Sequence, residues 1–190
     1  MIEVVLVRHG ETEWSRDGRH TGRTDIPLTE AGRRQAAMLG ERLRGRPFAL
    51  VLTSPLERAA ETCRLAGLGE RARTTEDLLE WDYGEYEGVS TPQIRAGRPD
   101  WVLWRDGCPG GEDAAAVGAR ANRVLAETEH AGADVALFAH GHVLRVLAAR
   151  WLGLPPASGA LFALSTGTLS VLGYEREVRV IRLWNEEPQR

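Results

Sequence analysis

Four residues stand out for the chemistry that their types and places allow. Arg8 and His9 follow the apolar run Val4-Val5-Leu6-Val7, Arg58 follows Phe48 to Leu52 and the turn Thr53-Ser54-Pro55, and His140 follows Val135 to Ala139. Arginine forks present N–H donors in the geometry of a phosphoryl group, and an imidazole can attack phosphorus. Guanidinium charges beside that imidazole favour its neutral form, which a nucleophile requires. A proton donor for the leaving oxygen is then needed. Glu80 is the best candidate in the acidic, aromatic stretch Leu78 to Gly88, and neighbours such as Trp81 would keep its carboxyl in the acid form.

The elements that must position these groups are legible around them. Unbroken aliphatic runs read as strands buried on both faces, as in a parallel sheet. Thr29 caps a helix with Ala36, Leu39 and Leu43 on one face, stopped by Gly45 and Pro47. Pro55 suits the first turn of a second helix, with Arg58 near its positive end. Glu112 to Ala131 carries the stripe Val117, Ala121, Val124, Leu125 and Thr128, and Val143 to Leu152 forms the last helix. Two strands, Thr168 to Tyr174 and Val178 to Trp184, close the chain as a hairpin. Strand–helix alternation predicts an α/β fold, a three-layer α/β/α sandwich on a mostly parallel sheet with an antiparallel edge. Ligands in such sheets bind beyond the carboxyl ends of the strands, which brings the three arginine and histidine positions together. Trp14 to Pro27 reads as a loop over the end of the first strand.

Length and composition bound the rest. The 190 residues predict one domain, 1–190, with an aromatic-rich insertion over about 76–111 that forms a pocket wall or lid. A net charge of −3 gives no general attraction to nucleic acid or an anionic membrane. All 24 basic residues are Arg, which excludes Schiff-base lysine chemistry and a P-loop lysine. The two cysteines, Cys63 and Cys108, form no framework and read as a buried small residue and a loop thiol. No run reaches membrane-spanning length and no signal segment is evident, so the expected location is the cytoplasm.

The spacing resembles the histidine phosphatase superfamily in its phosphoglycerate-mutase-like branch. The matching stretches are Arg8-His9-Gly10-Glu11-Thr12, Thr21-Gly22 with Asp25-x-Pro27-Leu28-Thr29-x-x-Gly32, and Ser54-Pro55-x-x-Arg58-Ala59-x-x-Thr62. Leu78-x-Glu80-x-x-x-Gly84-x-Tyr86-Glu87-Gly88 and His140-Gly141-His142 follow in the family's order and extend the match over nearly the whole chain. The resemblance implies that His9 becomes phosphorylated, that Arg8, Arg58 and His140 hold the phosphoryl group, and that Glu80 acts as acid and then base. It further implies substrate contacts at Glu11, Thr12, Thr21, Gly22 and Gly141. Ser15 departs from the Asn that many members place there against phosphate. No cofactor is implied.

Mutases and phosphatases share this machinery. Here Glu80-Trp81-Asp82-Tyr83 lacks the Arg-Tyr that mutases place after the glutamate, and no basic cluster fills the insertion, which favours a phosphatase. Trp81 to Gly88, Trp104 and Gly107 to Glu112 are similar to a subgroup with actinobacterial acid phosphatases and fungal sedoheptulose-1,7-bisphosphatase. That implies a small phosphomonoester as partner, a sugar phosphate among the candidates. A protein phosphohistidine or phosphotyrosine phosphatase is the alternative, and a phosphoglycerate mutase stands behind both. His140-x-His142 is read as a strand end and a helix's first turn in preference to a metal pair. His20 is expected at the rim of the phosphate loop and His130 at a helix end. The final strand is expected at an edge that pairs across a homodimer.

Overall fold

The computed structural model describes residues 2–188. Six strands form one sheet in the order β3-β2-β4-β1-β5-β6. They are β1 (Val4–Arg8), β2 (Leu50–Thr53), β3 (Ala72–Thr74), β4 (Val135–Ala139), β5 (Leu169–Glu175) and β6 (Val178–Glu186). Strands β1 to β4 pair in parallel, and β5 and β6 add the antiparallel edge. The helices are α1 (Glu13–Arg16), α2 (Glu30–Leu43), α3 (Glu57–Leu65), α4 (Thr91–Gly97), α5 (Leu103–Asp106), α6 (Ala114–Ala131) and α7 (Gly141–Trp151).

Side-chain alternation along the central strands builds the three layers. Val4 and Leu6 of β1 with Leu137 of β4 pack among Val117, Val124, Leu144 and Leu147 from α6 and α7. Val5, Val7 and Phe138 point the other way, onto Leu39, Leu43 and Cys63 from α2 and α3. Every aliphatic residue of β1 is buried on one face or the other. Each contributes roughly 1.5–3 kcal/mol relative to exposure. The expected α/β/α sandwich with an antiparallel edge is the observed fold.

Element ends differ from the sequence expectation where a distant partner intervenes. Helix α6 starts at Ala114 rather than Glu112, because Asp113 caps it and the Glu112 carboxylate is committed to Arg120. Helix α7 starts two residues earlier than expected, at Gly141, because the Glu80 carboxylate accepts the N–H groups of His142 and Val143, each at 2.9 Å. The loop after β1 opens with the single turn α1, closed by a reciprocal Thr12–Ser15 capping box. Strand β3 was not expected. It is three residues long, its last two are exposed, and nothing in Ala72-Arg73-Thr74 separates it from loop.

Candidate active site

The strand ends meet as expected. β1 delivers Arg8 and His9, the turn after β2 leads to Arg58 at the start of α3, and β4 ends at His140, the N-cap of α7. The His9 and His140 rings lie 5.2 Å apart, edge to face. Beside them is a cavity of about 260 Å³ lined by Arg8, His9, Glu80, His142 and Arg145 together with Ser15, Arg19, His20 and Thr21 of the loop after β1.

Hydrogen bonds fix the state of His9. Its Nδ1 lies 2.7 Å from the Gly10 carbonyl, which can only accept, so Nδ1 carries the proton. Burial and the nearby charges of Arg58 and Arg8 lower its pKa well below 6.5 and keep the ring neutral. The Nε2 lone pair is therefore available to a group in the cavity. Gly10 is held from below by Thr62, whose Oγ1 accepts its N–H at 3.1 Å.

Arg58 is fully buried and works mostly as a clamp. Its Nη groups donate to the carbonyls of Thr21, Gly22 and Thr24, and its Nε donates to His140 Nδ1 at 3.1 Å. Those bonds use four of its five N–H donors, leaving one on Nη1. His140 then holds its proton on Nε2, 2.8 Å from Ser54 Oγ. Burial, Arg58 and His9 lower its pKa well below 6.5.

Arg8 lies against the start of α7. Gly141 makes room for it, since a Cβ there would stand 3.2 Å from the guanidinium carbon. One Nη donates to the Leu164 carbonyl, and Nε is sealed without a partner. A buried N–H left unpaired costs about 1–3 kcal/mol.

Glu80 lines the cavity with its carboxylate held by three backbone N–H groups, from Trp81, His142 and Val143. Trp81 meets the carboxylate through its backbone, while its indole donates to the Glu112 carbonyl at 2.9 Å. The segment carrying Glu80 is anchored by the buried Arg120, which donates to the carbonyls of Asp77, Leu79 and Glu80 and pairs with Glu112.

A model of the histidine phosphatase superfamily, branch 1, matches residues 4–187. The chain belongs to that superfamily. It is 45% identical over 180 residues to an acid phosphatase of Mycobacterium tuberculosis, covering 93% of this chain and 88% of that protein. It is 38% identical over 182 residues to sedoheptulose 1,7-bisphosphatase of Saccharomyces cerevisiae, covering 79% of this chain and 67% of that one. The solved structure of a Mycobacterium tuberculosis open reading frame product superposes with a TM-score of 0.93 at 42% identity, covering 98% of both chains. By family the chain is a phosphoglycerate-mutase-like histidine phosphatase.

Within this family frame, the cavity wall contains Arg8, His9, Glu80, Ser15, Thr21 and Gly141 of the residues expected in the site. Arg58 and His140, which the resemblance assigns to the phosphoryl group, are fully buried behind His9 and do not line the cavity. Glu11, Thr12 and Gly22, for which the resemblance implies substrate contact, do not line the cavity. Glu11 turns to the start of α2, where its Oε1 accepts from the Thr29 hydroxyl at 2.8 Å. Thr12 is spent capping α1, and Gly22 gives its carbonyl to Arg58 and its N–H to Glu87. Arg19, Tyr83, His142 and Arg145 line the cavity without having been singled out as site residues. Arg145, four residues beyond Gly141 on α7, was findable from helical spacing. The thiols of Cys63 and Cys108 are pushed up to about 12, by burial first in both cases, and neither lines the cavity. No helix of the described residues is long and apolar enough to cross a membrane.

Proposed function

We propose that this histidine phosphatase hydrolyses phosphomonoesters of small metabolites, sugar phosphates foremost, through a phosphohistidine at His9 and without a metal ion. The observation that carries the reading is the locked tautomer of His9. With its proton held on Nδ1 by the Gly10 carbonyl, the ring presents only the Nε2 lone pair to a cavity flanked by cations.

In the first step Nε2 bonds to phosphorus and the ester P–O bond breaks. The leaving oxygen takes the proton of the Glu80 carboxyl. In the second, Glu80 accepts a proton from water, whose oxygen attacks phosphorus, and the P–N bond breaks to release phosphate and neutral His9. The Arg8 guanidinium in the cavity wall, backed by the buried charge of Arg58 behind His9, stabilises the negative charge of the equatorial oxygens. Arg19 and Arg145 also border the cavity and make no ion pair among the described residues, which supports a leaving group with further negative charge.

Phosphate release in EDTA tests the reading. A panel of sugar bisphosphates, phosphoglycerates, p-nitrophenyl phosphate and a phosphopeptide is compared with His9→Ala, together with trapping of a base-stable, acid-labile phosphoenzyme. Turnover led by one sugar phosphate and lost with His9 is expected. Leadership by the phosphopeptide, or turnover that survives His9→Ala, overturns it. Pairing of two chains through the β6 edge is a separate proposal, removed by a strictly monomeric mass in light scattering at micromolar concentration.

A further inference from the structure

Two imidazoles in the cavity wall have no part in the phosphoryl chemistry. His20 comes from the loop after α1 and His142 from the first turn of α7, and their rings lie nearly parallel, 6.5 Å apart at 20°. Each ring has one nitrogen occupied. His20 Nδ1 lies 2.6 Å from the Val89 carbonyl, an acceptor only, so that nitrogen carries the proton. His142 Nδ1 lies 2.6 Å from the Tyr83 hydroxyl. Among the described residues that buried hydroxyl meets no other acceptor for its single proton, which assigns the proton to the bond with Nδ1 and leaves the neutral ring's own proton on Nε2.

The opposite nitrogens are unused. Among the described residues Arg8 Nε is the one sealed side-chain polar atom without a partner. Among those residues neither Nε2 has a partner and neither is sealed, so both open into the cavity that the two rings line. Burial lowers both pKa values, so both rings stay neutral near pH 7. Their orientations are held by aromatic neighbours, Trp101 at 5.6 Å from His20 and Trp104 at 5.3 Å from His142.

We propose that His20 and His142 read hydroxyl groups on the leaving group, His20 as a fixed acceptor and His142 as a fixed donor at Nε2. A hydroxyl is the group that satisfies both demands, since it donates one hydrogen bond and accepts others. A polyol phosphate meets the pair. An alkyl phosphate leaves two polar nitrogens buried against hydrocarbon, which is the strong way for a site to reject an analogue. The inference rests on the phosphomonoesterase reading and narrows its substrate to polyhydroxylated leaving groups.

Two measurements test it. The first is kcat/KM for D-arabinitol 5-phosphate relative to n-pentyl phosphate, in the wild type, His20→Phe and His142→Phe. The second substitution leaves the backbone N–H of residue 142 on Glu80. The wild type is expected to favour the polyol ester by about tenfold or more, and each substitution to remove most of that preference. A wild type without the preference, or one that persists within twofold in both variants, overturns the pair. The second measurement is long-range ¹⁵N–¹H correlation of the ring nitrogens at pH 7, assigned by the loss of signals in the two variants. It is expected to show the proton on Nδ1 of His20 and on Nε2 of His142. The same tautomer in both rings overturns the proposal whatever the kinetics. Absence of His9-dependent turnover of either ester and of p-nitrophenyl phosphate would instead sink the phosphomonoesterase reading, and the tautomers would still stand as a separate result.

Discussion

Arg58 Nε donates to His140 Nδ1 across 3.1 Å, and this bond sets where His140 keeps its proton. A guanidinium cannot accept, so the imidazole proton is confined to Nε2, next to Ser54. The same guanidinium holds three carbonyls of the loop that supplies Thr21 to the cavity. Arg58 thus joins β4, α3 and the phosphate loop through one planar group.

A lysine at that position keeps the charge but loses the Nε bond and the fork. Arg58→Lys is therefore expected to lower kcat/KM by about 100-fold while retaining a folded protein, since a point charge cannot hold ring and loop together. The check is steady-state kinetics alongside a thermal melt. Near-wild-type kinetics in a folded Arg58→Lys protein would show that charge alone suffices.

Glu80→Gln removes the transferable proton and keeps one oxygen, which can still accept the backbone N–H bonds of Trp81 and Val143, while the amide nitrogen cannot accept the one from His142. An alkoxide leaving group needs that proton and p-nitrophenolate hardly does. The substitution is expected to slow an alkyl phosphate by roughly 10²–10⁴-fold and p-nitrophenyl phosphate far less. Equal slowing of the two esters would count against Glu80 as the general acid.

These expectations draw on two kinds of information, of which the sequence displays one. Apolar blocks such as Val4 to Val7 and Val135 to Phe138 announce buried strands, and the polar residues that end them announce where chemistry sits. Hence Arg8, His9 and His140 are legible in the sequence. The bonds that set protonation and orientation run between residues far apart in the chain: Glu80 to the N-terminus of α7, Tyr83 to His142, His20 to Val89, Arg58 to His140. No local spacing encodes them. Glu11 and Thr12 are a different case. The family resemblance implies substrate contact there, whereas Glu11 is turned to Thr29 and Thr12 is used as a helix cap.

Four histidines, His9, His20, His140 and His142, have pKa values lowered from 6.5, each by burial first. The unfolded chain binds protons at these rings more readily than the folded one, so acid favours unfolding. Stability is fully present above 6.5 and falls as pH drops below it, by about 1.4 kcal/mol per pH unit for each ring until its folded value is reached. Denaturant melts at pH 7.5, 6.0 and 5.0 should show a steep decline across the last two. His20→Gln should make it shallower by one proton. For activity the sign is the same: neutral His9 persists below 6.5, so the acid limb of kcat/KM lies under that value. A flat stability profile, or an acid limb above 6.5, contradicts the buried neutral rings.

Arg120 shows how far from the cavity the acid is positioned. It is buried on α6, pairs with Glu112 at 2.9 Å and gives its other donors to the backbone carbonyls of Asp77, Leu79 and Glu80. Glu112 in turn accepts the Asp82 N–H at 2.9 Å, so both ends of the segment bearing Glu80 hang on one ion pair. Arg120→Met fills much of the volume but strands a carboxylate and three carbonyls. The expected loss is about 3–5 kcal/mol of stability, the usual cost of breaking a buried pair from one side. Arg120→Met, assayed well below its melting temperature, separates anchoring from mere folding. If Arg120 positions the acid, turnover of an alkyl phosphate falls more than that of p-nitrophenyl phosphate, the same signature as Glu80→Gln but smaller. A folded Arg120→Met protein with both rates reduced alike, or neither, would place Arg120 in the scaffold and leave the acid's position to its bonds with α7 alone.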